Sequence, residues 1–355
     1  MKALIALRVF TLLGMLLLVL RVLAALRFRR YDFAIAGQAW VVGWPIWWAR
    51  KLWGVRYGAL VYGEDLGQIV HGGRRDVIAW LFLKSLDGAD WVVCNSGPTR
   101  QLAVAAGVDP AKLYVLRPGV DTRLFAPRPP ARRAADRAGR ERIILSVGRV
   151  VRQKNFEAVV CALPRVRRAV PGIRYWIRGD GPEKIHLAAL ACRLGVGDCL
   201  AFLEECPYEE LPKLYNACDL FVMPNQTVAE SGEQEGFGMV FAEASACSKP
   251  VIGGRSGGAI EAVVEGESGV LVDPSDVNAL ADAMVRVLRD RELAAQLGRR
   301  GREYVVRALS WDAYAERLRS LIGFRGAGRG DGPSAHPVRR ASAPAHKPGS
   351  GRCLE

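Results

Sequence analysis

The chain has 355 residues, a length that suits two domains. Of these residues 50% are hydrophobic and 24% are charged, which is the composition of a globular protein rather than a disordered one. Its formal net charge of +14 favours phosphorylated ligands or anionic lipid as partners. Nucleic acid is not expected, because the arginines are scattered and the sequence contains no recognisable nucleic-acid-binding module.

The first predicted element is a strongly apolar helix. Residues 9–20 carry no charge, and the arginines around them are Arg8, Arg21, Arg27, Arg29 and Arg30. The uncharged run is too short to span a bilayer, and no small-residue cleavage site of a signal peptide follows it. We expect a helix that either covers a sheet or lies on an anionic membrane surface, with its cations near the headgroups.

From Asp32 onward, short β-rich runs alternate with helical stretches. The predicted strands are DFAIAG, YGALVYG, DWVVCNS and KLYVLRPG in the first half, and RIILSVGR, IRYWIRGDG, CLAFLEE, DLFVMP, PVIGG and GVLVD in the second. Continuous apolar strands joined by helices predict parallel sheets that are covered on both faces. The expected fold class is therefore α/β, with two Rossmann-like domains that face a cleft.

Composition predicts the domain boundaries. Proline, arginine and alanine dominate residues 127–140, which we interpret as a linker between an N-terminal domain over residues 1–126 and a second domain over residues 141–323. Residues 324–355 are rich in Gly, Pro, Arg and Ser, which predicts a disordered tail.

The eight cysteines predict neither disulfides nor a metal site. They form no CxxC pair, and the histidines are not spaced with them as zinc ligands. Most lie among apolar or small residues, where a free thiol behaves as a small hydrophobe. We infer a reducing compartment, and we expect no metal and no cofactor.

Ligands of open α/β sheets bind at the carboxyl ends of the strands, and several polar segments follow strands there. In SVGRVVRQKN, Arg149 and Lys154 could neutralise a diphosphate, or they could be solvated loop charges. In RGDGP, Gly179 and Gly181 could let the backbone approach a ligand, or they could form an ordinary tight turn. Both interpretations stay open for each segment.

The stretch EGFGMVFAE places two carboxylates at the ends of an uncharged segment. Gly236 and Gly238 leave the backbone open where a helix is expected to begin near Met239, so that unpaired N–H groups could attract an anion. Glu235 lies in the loop beside them. Glu243 falls inside the helix, where a carboxylate is costly unless it accepts hydrogen bonds, which two ribose hydroxyls would supply. The alternative is a capping glutamate and a satisfied core glutamate.

A further glycine-rich segment, GGRSGGAIEAV, follows the next strand. Ser256, Gly257 and Gly258 are expected to present free backbone N–H groups to the cleft, with Glu261 at the start of the following helix. A plain glycine turn is an equally good interpretation.

The motifs from SVGRVVRQKN through GDGP, LYNACDLFVMPN, EGFGMVFAEASACSKPVIGGRSGGAIEAV and GVLVDPSD resemble those of the retaining, nucleotide-sugar-dependent glycosyltransferases of family 4, which have the GT-B fold. The resemblance covers the second domain almost end to end, in family order. It implies that Arg149 and Lys154 bind the donor diphosphate. It also implies that Glu235 and Glu243 form the EX7E motif, with Glu235 as the catalytic residue at the sugar and Glu243 at the ribose.

The resemblance also implies backbone contacts to the donor from Gly236, Phe237 and Gly238. The implied reaction is transfer of a hexose from a nucleotide-diphosphate sugar to a lipid, lipid-linked or glycan acceptor in cell-envelope glycan biosynthesis. Such an enzyme is expected at the cytoplasmic face of the membrane, as a peripheral protein. Selection of the nucleotide base is expected in the loop after CLAFLEEC, which contains no readable code.

The sequence departs from the family pattern in the N-terminal half. The first strand and glycine-rich loop are expected to be missing, and Tyr62 stands where the family often has a histidine, with His71 nearby. These departures favour an alternative, a truncated and catalytically weak homologue that binds nucleotide sugar without turnover. A nicotinamide-dependent oxidoreductase is disfavoured, because no GxGxxG opens a βαβ unit with a suitably placed acid.

Overall fold

The structure, a computed structural model, describes residues 2–29, 31, 33–70, 76–128, 141–228 and 231–323, with the backbone alone for residues 2–13, 15 and 68. The strands are β1 (Ala34–Ala36), β2 (Tyr57–Val61), β3 (Trp91–Cys94), β4 (Leu113–Val115), β5 (Arg142–Val147), β6 (Ile173–Arg178), β7 (Leu200–Leu203), β8 (Leu220–Met223), β9 (Val251–Gly254) and β10 (Gly269–Val272). His71, most of the predicted linker (129–140) and the predicted tail (324–355) lie outside the described residues.

The helices alternate with these strands, as the sequence predicts. They are α1 (Lys2–Phe28), α2 (Ala39–Trp53), α3 (Gly63–Val70), α4 (Val77–Asp87), α5 (Gly97–Ala105), α6 (Phe156–Ala169), α7 (Lys184–Arg193), α8 (Leu211–Ala217), α9 (Met239–Ala246), α10 (Ala259–Ala262), α11 (Val277–Arg289), α12 (Arg291–Ala308) and α13 (Trp311–Ile322). Among the described residues, no helix is both long and apolar enough to cross a membrane.

Two parallel sheets form the frame of the molecule, so the predicted α/β class with two Rossmann-like domains is confirmed. Among the residues that the structure describes, the first sheet has four strands in the order β1-β2-β3-β4, and the second has six in the order β10-β9-β8-β5-β6-β7. In the second sheet the strand order reverses between β5 and β8. Loops that leave neighbouring strands at such a point diverge and open a crevice, which places the loops after β5 and β8 around a ligand.

The second sheet forms around strands that are apolar on both faces. In β5, Ile144 and Leu145 are fully buried, and each contributes on the order of 2 kcal/mol by leaving water. The one polar side chain in the middle of this strand, Ser146, is also buried. Its hydroxyl donates to the carbonyl of Val222 and lies 2.9 Å from the hydroxyl of Tyr175, so its burial costs little.

Helices α1, α2 and α4 cover one side of the first domain. Val22 and Leu26 of α1 pack against the core of that domain, which also holds Ile46 of α2 and Phe82 of α4. The Asp76 carboxylate begins α4 by accepting a hydrogen bond from the Ala79 amide at 2.8 Å. The apolar N-terminal helix is therefore at least partly a covering helix.

The chain crosses between the domains twice at one place. Val120 and Phe125 already belong to the core of the second domain, so the chain joins that core before the boundary predicted at residue 126. The returning helix α13 packs Tyr314 and Leu318 against Trp91 of the first sheet. At the crossing, the Val120 amide donates to the carbonyl of Leu309 at 2.7 Å, beside a β-bridge between Val120 and Ser310.

Candidate active site

A cavity of about 150 Å³ lies between the two domains, next to the reversal of strand order. Its walls come from the loops after β2, β3, β5 and β8. The lining residues are Tyr62, Gly63, Glu64, Gly67, Asn95, Arg149, Gln153, Lys154, Ser231, Gly232, Glu233, Gln234, Glu235 and Gly236. Four of the residues singled out from the sequence, Arg149, Lys154, Glu235 and Gly236, therefore meet in one interdomain space.

Lys154 and Glu235 form the main ion pair of this cavity. The Lys154 ammonium donates to Oε2 of Glu235 at 2.5 Å, and the two side chains are only 15% and 12% exposed. Lys154 ends a short 3₁₀ turn, Arg152–Lys154, after β5, and Glu235 precedes α9. Low exposure makes this pair stronger than a surface salt bridge and leaves a cation and an anion side by side at the crevice.

Arg149 lies at the mouth of the cavity and is much more exposed. Its guanidinium reaches Glu64 of the first domain at 3.8 Å, with exposed fractions of 67% for Arg149 and 63% for Glu64. A pair with this exposure and distance contributes at most about 1 kcal/mol. Arg149 is therefore free to bind another anion at little cost.

The loop 235–238 and helix α9 take the arrangement expected from the sequence. The helix begins at Met239 as predicted, with Gly238 at its N-cap in the left-handed region at φ 87°. The side chain of Phe237 is buried in the core of the second domain, so its ring anchors the loop. A Cβ on Gly236 would lie 2.9 Å from Nδ2 of Asn95, so the glycine lets the two domains approach each other here.

The expectation of free amides after β9 is wrong for two of the three residues. The Gly258 amide donates to the Glu235 carbonyl at 2.7 Å, and the Ser256 amide donates to the carbonyl of Gly254 at 2.8 Å. A Cβ on Gly257 would lie 2.6 Å from the same Glu235 carbonyl oxygen. This segment supports the loop that carries Glu235, because buried backbone amides find partners inside the protein.

Gly179 and Gly181 also serve the packing of loops. A Cβ on Gly179 would lie 1.9 Å from the carbonyl oxygen of Gly148, and one on Gly181 would lie 2.3 Å from that of Val150. The Val150 amide donates to the Asp180 carbonyl at 2.8 Å. Of the two interpretations left open, the turn is the one that these contacts support, and it braces the loop that carries Arg149.

Glu243 lies in the core with both carboxylate oxygens occupied. Oε2 accepts from the hydroxyl of Tyr215 at 2.7 Å, and Oε1 accepts from that of Tyr208 at 3.3 Å. Burial raises the pKa of Glu243 above its usual value, and the bonds from Tyr215 and Tyr208 offset part of that rise. Sequence reasoning missed both tyrosines, which are 28 and 35 residues away along the chain.

Glu261 was also missed as a contact between the domains. Its Oε1 accepts from the amide of Gly97, at the start of α5, at 2.7 Å. Its Oε2 accepts from Nε of Arg117 at 2.9 Å. An acidic residue in the first turn of α10 was visible in the sequence, but no local signal indicates a partner 164 residues away.

Two parallel-sheet domains that enclose this paired cation and carboxylate define the class of protein, a GT-B glycosyltransferase. The model of the family "Glycosyl transferases group 1" matches residues 127–304, and that of "Glycosyltransferase Family 4" matches residues 7–124. The chain belongs to this family of glycosyltransferases, as its motifs predict, and it is a hexosyltransferase of the family 4 type.

Curated relatives carry more specific names. The chain is 39% identical over 277 residues to the GDP-mannose-dependent alpha-(1-6)-phosphatidylinositol monomannoside mannosyltransferase of Mycobacterium tuberculosis, covering 77% of this chain and 71% of that one. It is 31% identical over 310 residues to the D-inositol 3-phosphate glycosyltransferase of Thermomonospora curvata, covering 79% and 68%.

Solved structures support the same fold. Sucrose-phosphate synthase from Thermosynechococcus elongatus superposes with a TM-score of 0.69 at 28% identity, covering 82% of this chain and 73% of that one. The Anabaena protein HepE in complex with UDP gives a TM-score of 0.73 at 20% identity, covering 86% and 82%. At that identity HepE supports the fold alone.

Proposed function

We propose that this chain transfers a hexose, mannose being the first candidate, from a nucleoside-diphosphate sugar to a lipid or lipid-linked acceptor, with retention of the anomeric configuration. The observation that carries the proposal is the Lys154–Glu235 pair, at 2.5 Å and barely exposed, in the crevice between the domains. The names of the relatives support the donor and acceptor classes, since they include GDP-mannose-dependent enzymes that act on phosphatidylinositol monomannoside.

In the proposed reaction the acceptor hydroxyl attacks the anomeric carbon on the face from which the diphosphate leaves. Lys154 and Arg149 neutralise the charge that grows on the departing phosphate, together with the N-terminus of α9. Glu235 holds the donor sugar next to Lys154 through the oxocarbenium-like stage. The proton of the acceptor hydroxyl passes to the leaving phosphate, so the scheme needs no separate general base.

We assign the ribose of the donor to Glu243. Its bond from Tyr215 is short at 2.7 Å, whereas the bond from Tyr208 is long at 3.3 Å. A ribose hydroxyl can therefore replace Tyr208 while Tyr215 keeps the carboxylate in position. Glu243→Ala should weaken binding of ribonucleotides more than that of their 2′,3′-dideoxy counterparts, and equal losses would indicate a purely structural carboxylate.

The reaction is tested with Glu235→Gln. Without its anionic partner, Lys154 stays available to the diphosphate, so nucleoside-diphosphate binding should be kept while transfer falls at least about 100-fold, as for loss of a transition-state contact. The anomeric configuration of the product, read by NMR, decides whether transfer occurs with retention. An inverted product, or unchanged transfer by Glu235→Gln, would overturn this mechanism.

The second candidate function is binding of nucleotide sugar without turnover. Tyr62 lines the cavity where the family often has a histidine, and within the described residues the first sheet has four strands against six in the second. Nucleotide-sugar binding by the wild type without transfer to any phosphatidylinositol-type acceptor, and without hydrolysis, would favour this candidate.

We further propose that α2 and α4 place the enzyme on an anionic membrane at the cytoplasmic face. Trp47 joins the two helices, with ring centroids 5.5 Å from Trp48 and 6.4 Å from Trp80. Both outer tryptophans are exposed, and the exposed cations Lys51 and Lys84 lie on the same helices. Indole rings beside cations suit the headgroup region of a bilayer.

Vesicle pelleting tests the membrane proposal. Trp80→Ser should reduce pelleting with vesicles that contain anionic phosphatidylinositol, whereas Trp311→Ser, at the same 52% exposure but on α13, should not. Wild-type binding should fall as salt is raised, because the cations contribute. Equal effects of the two substitutions would remove α4 from the proposed membrane surface.

A further inference from the structure

Arg178, the last residue of β6, is a partly buried cation, and the described part of the protein leaves one of its N–H donors without an acceptor. Its Nη2 donates to the carbonyl of Cys206 at 2.8 Å, while its Nε–H is buried and has no hydrogen-bond partner. Within the described ranges it takes part in no hydrogen bond with a carboxylate. A guanidinium has five N–H donors, and burying them without acceptors costs free energy. An acceptor from a ligand would offset that cost.

The position of Arg178 follows from the order of the strands. β6 lies beside β5, whose loop carries Lys154, and β7 lies on the far side of β6, with Leu203 opposite Arg178 in register. Cys206 follows β7. Tyr208, two residues after Cys206, donates to Oε1 of Glu243 at 3.3 Å, so the segment that Arg178 contacts also contacts the carboxylate proposed for the ribose. A donor bound with its diphosphate at Lys154 and its ribose at Glu243 would therefore have its base within reach of that segment.

Glu243 and Arg178 are close enough to interact electrostatically. The Arg178 charge lowers the pKa of Glu243, in the opposite direction to the larger effect of burial. The carboxylate proposed for the ribose and the guanidinium at the end of β6 thus lie in one region. The next group of a nucleotide beyond its ribose is the base.

The shape of the guanidinium selects among bases. Its parallel N–H groups match two acceptors side by side, and guanine offers such a pair in O6 and N7. Adenine presents an N6 amino donor where guanine has O6, so a guanidinium opposite it faces one acceptor and one donor. Uracil lacks an N7 atom.

We propose that Arg178 reads the base of the donor and favours guanine through its O6 and N7 atoms. This inference rests on the proposed function, because it takes the donor to be a nucleoside-diphosphate sugar bound at Lys154 and Glu243. The competing role for Arg178 is to neutralise Glu243 alone. That role predicts no preference among bases.

Binding of GDP, IDP, 7-deaza-GDP, ADP and UDP by calorimetry tests the proposal. Wild-type protein should bind GDP and IDP about ten-fold or more tighter than ADP and 7-deaza-GDP, the range of one bidentate contact. Arg178→Met should bring the ratio of GDP to ADP affinity close to one. Arg178→Lys keeps the charge beside Glu243 but loses the planar fork, so ADP affinity should persist while the preference for GDP falls.

Arg174→Met is the matched control, because Arg174 lies near the other end of β6 and is exposed, where it pairs with Glu141. It should keep the wild-type preference. Equal losses of GDP and ADP affinity in Arg178→Met and Arg178→Lys would overturn the inference and leave Arg178 as the partner of Glu243. Wild-type protein that binds none of the five nucleotides would overturn the proposed function itself.

Discussion

Lys154 and Arg149 follow the same strand, but the stability of the protein should depend on them differently. Lys154→Met leaves the Glu235 carboxylate, 12% exposed, without its cation, which should lower the free energy of unfolding by about 2–3 kcal/mol. Arg149→Met removes an exposed contact of 3.8 Å and should cost at most about 1 kcal/mol. Urea unfolding measures both changes.

The double variant Lys154→Met, Glu235→Gln provides the control for this prediction. It removes the charge that Lys154→Met alone leaves unpaired, so part of the lost stability should return. Both single lysine and arginine variants should also weaken binding of a nucleoside diphosphate and leave binding of the nucleoside nearly unchanged. Equal stability losses for Lys154→Met and Arg149→Met would contradict the assignment of the ion pair.

Asp65, next to the cavity-lining residue Glu64, should make the stability of the protein depend on pH. Burial, followed by the neighbouring charge of Glu64, raises the pKa of Asp65 from 3.8 to about 6. The folded protein then holds this proton more tightly than the unfolded chain, so stability falls as the pH rises from about 4 to about 6. Asp65→Asn should therefore raise the melting temperature at pH 7.5 and leave it nearly unchanged at pH 4.

One result for Asp65→Asn would contradict this prediction. If Asp65→Asn lowered the melting temperature at pH 7.5, its carboxylate would be stabilised in the folded protein, by the start of α3 for example. Glu64→Gln serves as a comparison, because it removes only the smaller of the two causes that raise the pKa of Asp65, so the pH dependence should weaken but persist.

At the scale of elements, the close contact between the loops after β5 and β6 should require a glycine at position 179. Gly179 has φ 146°, and a Cβ there would lie 1.9 Å from a backbone oxygen. Gly179→Ala should lower the free energy of unfolding by at least about 2 kcal/mol, because both the dihedral angle and the contact oppose it. The midpoint of urea unfolding provides the measurement.

Gly195→Ala is the control for that prediction. Gly195 also has a positive φ, 68°, but a Cβ there meets nothing within 4 Å, so only the dihedral cost of about 1 kcal/mol remains. A similar loss in the two variants would show that the loops move apart to accept the methyl group. Nucleotide affinity should fall in Gly179→Ala alone, because only that loop braces Arg149.

Local pattern predicted most of the elements and few of their contacts. The apolar run RIILSV predicted β5, and the glycines before Met239 predicted the start of α9, because both features are written in adjacent residues. The bonds of Glu243 to Tyr208 and Tyr215 depend on how α8 and α9 pack, which no residue pattern encodes. For the same reason the free amides expected at Ser256 and Gly258 proved to be bonded within the protein.

At the scale of the molecule, Glu261 should help to fix the relative position of the two domains. Its carboxylate accepts from Gly97 at 2.7 Å and from Arg117 at 2.9 Å, both across the interface. Glu261→Gln replaces one acceptor by a donor, so one of these bonds is lost at a cost of about 1–3 kcal/mol. Hydrogen exchange at the Gly97 amide should become faster, because that amide loses its carboxylate partner.

Glu265→Gln is the matched control for this interface. Glu265 lies four positions further on and pairs with Arg255 inside the second domain. Its substitution should leave exchange at Gly97 unchanged. Unchanged exchange in Glu261→Gln as well would indicate that the domains stay together without this carboxylate.

The return of α13 to the first sheet has a mechanical consequence. The chain leaves the first domain near Gly119 and comes back at Trp311, so the second domain is inserted between β4 and α13. A force applied between α1 and α13 therefore acts on the first sheet and on the contact between α13 and Trp91. The six-stranded sheet carries no force until α13 detaches from the first domain. In an optical-trap experiment the first rupture should release α13, and the second domain should unfold only afterwards.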